Sequence, residues 1–196
     1  MKDMVRNDHA AATYSGNLKW LIQGVVLFSV YFLSAKLGLV YSTVTNVSLL
    51  WPPTGLALFA LLVFGVRLWP AVFLAAFAVN ITTGIPTGAA LGIAMGNCLE
   101  AVAGFYLLRA TGFQNHLQRV RDVVALVLLA AGVSTMLSAT IGVSTLAWFG
   151  IIPWDHYAHA WTTWWMGDAM GDLVFASFLL AWWGLPGLRW DKRRVA

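Results

Sequence analysis

The chain has 196 residues, of which 60% are hydrophobic and only 10% are charged, and its net charge is +4. A soluble domain carries about 25% charged residues. This composition, with a mean hydropathy of +0.74, excludes a soluble globular protein and indicates an integral membrane protein. The single cysteine, Cys98, excludes an internal disulfide and a metal cluster built from cysteines.

Six apolar runs predict an all-α, polytopic bundle of about six transmembrane helices, because one crossing needs about 20 apolar residues. The runs cover residues 18–40, 53–66, 68–81, 88–109, 120–149 and 158–183. The first run is too long for the hydrophobic region of a signal peptide, and no small-residue cleavage site follows it. The predicted organisation is therefore an N-terminal tail at 1–17, a transmembrane domain at 18–183 and a basic tail at 184–196.

The basic residues orient these six predicted spans. Eleven of the twelve Lys and Arg residues fall on one side of the membrane if there are six crossings, with Lys36 as the exception. Connections 41–52, 82–87 and 150–157 contain no Lys or Arg. Since cytoplasmic loops are enriched in Lys and Arg, the sequence predicts that both termini lie in the cytoplasm.

The second and third spans are too short for a bilayer core of about 30 Å, because fourteen helical residues cover about 21 Å. Pro52 and Pro53 suit a helix start, and the stretch before them is polar and irregular. Two interpretations remain open for residues 46–53. They either dip into the bundle from the periplasmic side or form an ordinary interfacial loop anchored by Trp51.

Polar residues interrupt the middle of the fourth and sixth spans. Asn97 and Glu100 lie among glycines at four-residue spacing, and Asp168 and Asp172 lie beside a G-x-x-x-G pattern. Small residues at this spacing permit close helix packing, so the carboxyl groups are predicted to face the bundle interior. Ionisable residues in a membrane commonly mark a ligand or proton site. The alternative is a buried polar network that fixes helix register, with protonated acids or with Lys36 as a partner.

Other polar residues have simpler explanations. Asp155, His156 and His159 have a spacing at which metals bind, but their place beside a span favours a solvated loop. The hydroxyl residues of the fifth span predict helix–helix hydrogen bonds. No nucleophile motif, phosphate-binding loop or dinucleotide fingerprint occurs. The sequence therefore predicts no enzyme activity, catalytic residue, cofactor, metal site or nucleic-acid partner.

Three stretches carry a family resemblance: SLLWPPTGLALFALLVFGVRLWPAVFLAAFAVN, GIAMGNCLEAVAGFYLLR and WTTWWMGDAMGDLVFA. In this order they resemble the bacterial membrane-associated sensor domains of the first class (MASE type one) over residues 48–183. The specific motifs are WPP-x-G, G-N-x-x-E and W-W-x-G-D-x-x-G. The matching positions are Trp51, Pro52, Pro53, Gly55, Trp69, Pro70, Asn80, Gly96, Asn97, Glu100, Trp164, Trp165, Gly167, Asp168 and Gly171. Asp172 follows the last motif but is less typical of it.

The resemblance implies a sensory input domain of the bacterial inner membrane that is followed, in the family, by a cytoplasmic output such as a GGDEF diguanylate cyclase or a histidine kinase. The output would belong to cyclic di-GMP or two-component signalling and would act in cis or in trans. This chain stops at Ala196, so the sequence predicts either the input half of a longer protein or a stand-alone version. A homodimer is a further expectation from the resemblance.

The predicted function is to bind a signal, either a small ligand or a partner protein, and to relay it through the sixth helix. The basic tail would lie against anionic lipid headgroups. The predicted signal-binding residues are Trp51, Asn97, Glu100, Trp164, Trp165, Asp168 and Asp172. The alternative is a small substrate-binding or proton-coupled transport component, against which the sequence shows no inverted repeat, a common feature of secondary carriers.

Overall fold

A computed structural model describes residues 2–40 and 50–184, with side chains from residue 16 onward. Over these residues the backbone forms helices and turns without a β-strand, which confirms the all-α prediction. The described helices are α1 (Lys2–Val40), α2 (Pro52–Phe64), α3 (Trp69–Ile81), α4 (Thr87–Ala110), α5 (Val120–Trp148) and α6 (157–183). Residues 46–49 and the basic tail from 185 lie outside the described residues.

Both α5 and α6 change to π-helical geometry within their length. The π segments are Leu126–Ser134 in α5 and Asp172–Ala176 in α6, and the two segments pack against each other. A π turn shifts the backbone hydrogen-bonding pattern by one residue and frequently occurs at functional sites. The fifth helix is therefore long, as the sequence predicted, and it is also locally irregular.

Three helical stretches are long and apolar enough to cross a bilayer: Gly16–Val40, Thr87–Ala110 and Val120–Trp148. Two other apolar helices, Pro52–Phe64 and Val66–Ile81, are shorter. The sixth helix, 157–183, has sufficient length, but its two aspartates and its neutral polar residues lower its hydropathy. The count of six spans and the cytoplasmic side of both termini stay predictions.

Within the described part of the chain the helices pack as a ring in the order α1, α3, α4, α5, α6 and α2, which returns to α1. Helix α2 also contacts α4 across this ring. The glycine row of α4 faces α5, where a Cβ on Gly92 would lie 2.7 Å from Cγ2 of Thr145. The predicted close packing of this row is thus observed.

Helix α2 begins inside the bundle. The Trp51 N–H donates to the Gly167 carbonyl oxygen at 3.0 Å, and Gly167 lies about 15 Å along α6 from its start at the helical rise of 1.5 Å per residue. Pro52 and Pro53 fit the first turn of α2 because they lack the N–H that a helix start leaves unpaired. The described end of the segment therefore agrees with a chain that dips into the bundle rather than with an interfacial loop.

Two apolar clusters occupy opposite ends of the region between α4, α5 and α6. One contains Ile93, Val143 and Trp164, and the other contains Leu108, Leu126 and Leu180. Residues 97–100 of α4, 138 of α5 and 168–172 of α6 fall between these clusters along each helix. The apolar packing therefore encloses a polar layer near the middle of the bundle.

Candidate functional site

Three carboxyl groups from two helices approach one another in this polar layer. Glu100 of α4 and Asp168 and Asp172 of α6 are 2%, 1% and 1% exposed. Glu100 lies within hydrogen-bonding reach of Asp168, and Asp172 is one helical turn beyond Asp168. The interior position that the glycine pattern predicted for these side chains is observed.

Hydroxyl, amide and indole groups surround the carboxyl groups. The Thr54 hydroxyl of α2 donates to Asp168 Oδ1 at 2.8 Å. On the other side, the Ser138 hydroxyl of α5 donates to Asn97 Oδ1 at 2.8 Å and accepts the Trp164 Nε1–H at 3.0 Å. Ser138 is also within hydrogen-bonding reach of Glu100. The network therefore ties α2, α4, α5 and α6 together at one level of the bundle.

Close backbone contact between α2 and α6 places Thr54 beside Asp168. A Cβ on Gly55 would lie 2.7 Å from the backbone nitrogen of Ala176 and even closer to the carbonyl oxygen of Gly171. The first turn of α2 also directs the positive end of its helix dipole toward Asp168, an arrangement that favours a negative charge. The sequence WPPTG thus forms both a close packing surface and a polar cap over Asp168.

Each of the three carboxyl groups retains one buried oxygen without a hydrogen-bond partner: Glu100 Oε1, Asp168 Oδ2 and Asp172 Oδ1. Lys36 does not pair with them, because its Nζ lies over the Phe32 ring, 5.8 Å from the centroid. In residues 16–40 and 50–184 the ion pair observed is Arg121–Asp122. The alternative in which Lys36 pairs with the cluster is therefore not observed in these residues, and unmet acceptor capacity remains in the layer.

The structure brings most, but not all, of the predicted site residues together. Trp164 is 8% exposed and joins the network through Ser138 of α5, whereas Trp165 bonds to α5 outside the network, where its Nε1–H donates to the Gly132 carbonyl oxygen at 3.0 Å. Adjacent helical residues project in different directions, and the two indoles accordingly bond to different residues of α5, Ser138 and Gly132. Trp51 contributes its backbone to α6 and a side-chain hydrogen bond to Tyr31.

Three residues beside the carboxyl groups were not predicted as site residues: Thr54, Ser138 and the buried Tyr31, which is within electrostatic reach of Glu100 and Asp168. Thr54 occupies the variable position of WPP-x-G, and Ser138 belongs to a span in which most hydroxyl groups were expected to support packing. Of those hydroxyls, Ser134 and Thr135 bond to carbonyl oxygens of their own helix. The sequence therefore contained the hydroxyl pattern without showing which member reaches across to α4.

No metal centre is evident in the described ranges, where no group of three or more His, Cys, Asp or Glu side chains could hold a metal ion. Asp155, His156 and His159 are exposed near the start of α6. The chemistry available in the polar layer is instead that of paired acceptors, since carboxyl oxygens accept hydrogen bonds from ammonium, guanidinium or hydroxyl donors.

A protein-family model described as MASE1 matches residues 23–193. The chain belongs to the MASE1 family. This match confirms the resemblance and extends it toward the N-terminus, so that it includes every residue of the polar layer. MASE1 domains are membrane-associated sensory domains. No curated protein and no solved structure matches the chain.

Proposed function

We propose that this MASE1 domain is a sensory input domain of the bacterial inner membrane, without enzymatic activity of its own, which recognises a small cationic signal molecule. The supporting observation is the set of three buried acceptor oxygens on Glu100, Asp168 and Asp172 that lack hydrogen-bond partners. Charge-assisted hydrogen bonds are about twice as strong as neutral ones. A donor-rich ammonium or guanidinium group would satisfy these oxygens together.

The relay would pass along α6. Asp172 is both a member of the carboxyl cluster and the first residue of the π segment Asp172–Ala176. A ligand that binds one arrangement of this segment better than another shifts the population toward that arrangement. The last part of α6, Ser177–Trp183, follows the π segment directly, so a change in its register would turn this part relative to Tyr157–Gly171.

The cytoplasmic output would be a GGDEF cyclase or a histidine kinase that acts in cis or in trans. A homodimer would let two copies of α6 report the same change, as the family resemblance implies. Both statements stay predictions. They concern what receives the signal, whereas the carboxyl cluster concerns what is recognised.

Ligand-dependent stabilisation tests the proposal. The whole chain in lipid nanodiscs would be screened against amino acids, polyamines and quaternary amines, with thermal unfolding as the measurement. A cationic member at 100 times its Kd is expected to stabilise the fold by about 2.7 kcal/mol. The same compound should alter hydrogen exchange in residues 172–183, because the relay begins there.

Matched amide variants distinguish ligand binding at the three carboxyl groups from a non-specific effect of the compound on stability. Glu100→Gln, Asp168→Asn and Asp172→Asn keep the side-chain shape, and each should weaken the stabilisation. Asp155→Asn removes an exposed carboxyl group at the start of α6 and should leave it unchanged. Stabilisation only by anionic or neutral compounds, or stabilisation that survives all three interior changes, would contradict the proposal.

The rival function, a small transport component, predicts a different result with the same compound. Proteoliposomes that contain the wild-type chain would then accumulate it, and Asp168→Asn would abolish the uptake. Binding without flux favours the sensor. Flux that depends on Asp168 favours the transport component.

A further inference from the structure

A cavity of about 340 Å³ lies at the start of α5, away from the carboxyl layer. Its polar lining consists of Thr111, Arg121 and Asp122, and its apolar lining comes from α5, including Val124 and Leu128. Small-molecule sites typically measure about 300–1,000 Å³ and combine an apolar wall with a few polar groups. The cavity therefore has the size and the composition of a site for a small amphipathic group.

The two opposite charges at the polar end of the cavity, Arg121 and Asp122, make only weak contacts with other protein groups. The Asp122 side chain is 2% exposed, its Oδ1 lies 3.9 Å from Arg121 Nε, and its Oδ2 has no hydrogen-bond partner. Arg121 is 60% exposed, and its Nη2–H donates to the Gly112 carbonyl oxygen at 3.4 Å. Asp122 thus keeps an acceptor for a cation, and Arg121 keeps donors for an anion.

A purely structural role explains only part of this arrangement. Asp122 is the third residue of α5, where the helix dipole stabilises a negative charge. The dipole accounts for an acidic residue in the first turn. It accounts neither for the cavity nor for a buried carboxyl oxygen without a partner, because solvent-exposed acids stabilise helix starts equally well.

The apolar wall of the cavity belongs to an exposed face of α5. Val120, Val124 and Leu128 are 81%, 46% and 59% exposed at four-residue spacing, so they form one stripe. In a transmembrane helix such an exposed apolar stripe faces acyl chains. The charged end of the cavity is at the terminus of this span, at the depth where lipid headgroups lie.

We propose that this cavity binds the headgroup of a phospholipid of the phosphatidylethanolamine type. The primary ammonium would donate to Asp122, the phosphate would accept from Arg121, and an acyl chain would lie along Val124 and Leu128. A trimethylammonium group offers no N–H donor, and an anionic headgroup without a cation would place its charge beside Asp122. The site is independent of the carboxyl layer and of the proposed signal.

Lipid competition tests this site. The whole chain, purified in mild detergent, is mixed with equimolar phosphatidylethanolamine, phosphatidylcholine and phosphatidylglycerol of matched acyl chains, and retained lipids are counted by native mass spectrometry. Wild type is expected to retain phosphatidylethanolamine about tenfold over each competitor, which corresponds to about 1.4 kcal/mol. Equal retention of the three lipids by the wild type overturns the proposal.

Two variants and one control identify the place of binding. Asp122→Asn removes the charge, and Leu128→Trp fills the cavity from its lipid side at a position where a larger ring is tolerated. Both should abolish the preference, whereas Asp155→Asn, at an exposed site outside the cavity lining, should keep it. A preference that survives in either cavity variant places the headgroup elsewhere and overturns the proposal.

Glycerophosphoethanolamine, which has the same headgroup and no acyl chains, distinguishes a lipid from a soluble zwitterion. At the same concentration as the lipid it should displace little phosphatidylethanolamine, because it lacks the contacts along α5. Full displacement would show that the site takes soluble phosphoethanolamine compounds. It would overturn the assignment of the cavity to a lipid.

Discussion

At the scale of single residues, Gly55 sets the distance between α2 and α6. A methyl group on Gly55 would lie 2.7 Å from the Ala176 backbone nitrogen and closer still to the Gly171 carbonyl oxygen. Backbone atoms cannot move aside alone, so the two helices would have to separate. Since overpacking costs about 1–3 kcal/mol, we expect Gly55→Ala to lower the free energy of unfolding by about 2 kcal/mol, measured by denaturation in mixed micelles.

Gly24 of α1 provides the matched control for this change. The nearest atom to a Cβ there is the Ala71 Cβ at 3.9 Å, which is an ordinary contact. Alanine also favours a helix interior over glycine by about 0.8–1.0 kcal/mol. Gly24→Ala should therefore leave stability unchanged or raise it. A loss of the same size in both variants would show that Gly55 is not a contact position.

The sequence allowed the acidic residues to be placed better than their neighbours. Glu100 and Asp168 were predicted to face inward because glycine spacing marks the packed side of a transmembrane helix. Ser138 could not be singled out, because a buried hydroxyl group can bond either to its own helix or across to another. Trp164 and Trp165 were predicted together, although only the Trp164 indole bonds to Ser138 in the layer, while that of Trp165 bonds to Gly132.

At the scale of helices, the π segment of α5 accepts a hydrogen bond from α6. The Trp165 Nε1–H donates to the carbonyl oxygen of Gly132, inside Leu126–Ser134. Trp165→Phe would keep an aromatic ring and remove this donor. Because a hydrogen bond contributes about 0.5–1.5 kcal/mol, we expect amide hydrogen exchange in residues 126–134 to become roughly two- to tenfold faster.

Trp161 offers a control on the same face of α6. It stacks on Trp165 with ring centroids 6.1 Å apart, and its Nε1–H donates to the Thr140 hydroxyl oxygen, outside the π segment. Trp161→Phe should therefore leave exchange in residues 126–134 near the wild-type rate. Equal acceleration in both variants would mean that the stacked ring pair, and not the Gly132 bond, supports the segment.

The helices themselves followed from apolar length, but their irregular parts did not. Residues 120–149 were predicted as one long span, which agrees with Val120–Trp148. No sequence pattern predicted the π segments, and the bond of Trp165 to Gly132 joins one of them to a distant part of the chain. The depth at which α2 begins was left between two interpretations, because it is decided by the backbone contact of Trp51 with Gly167.

At the scale of the whole molecule, the ring of helices positions one polar layer and one lipid-facing cavity on different elements. The carboxyl layer is formed mainly by α4 and α6, whereas the cavity is formed by the start of α5 and the preceding turn. Helix α5 takes part in both, through Ser138 and Asp122.

The predicted topology places the two ends of α5 on opposite sides of the membrane. The connection before α5 contains Arg119, and α5 itself starts with Val120 and Arg121, whereas residues 150–156 contain no Lys or Arg. In a Cys98→Ala background, Gln114→Cys should react with a membrane-impermeant maleimide only in inside-out vesicles, and Asp155→Cys only in right-side-out vesicles. Both positions are exposed, so accessibility depends on the side alone.

The possible results of this labelling separate two kinds of error. The Cys98→Ala background itself should show no labelling, because it has no thiol. Labelling of both sites from one face would mean that α5 does not cross the bilayer, against its length and hydropathy. Labelling on the opposite faces from those expected would keep the crossing but reverse the orientation, so the excess of Lys and Arg would not mark the cytoplasmic side in this chain. The expected pattern would place the Arg121–Asp122 cavity at the cytoplasmic leaflet, so the cavity would bind lipids of that leaflet.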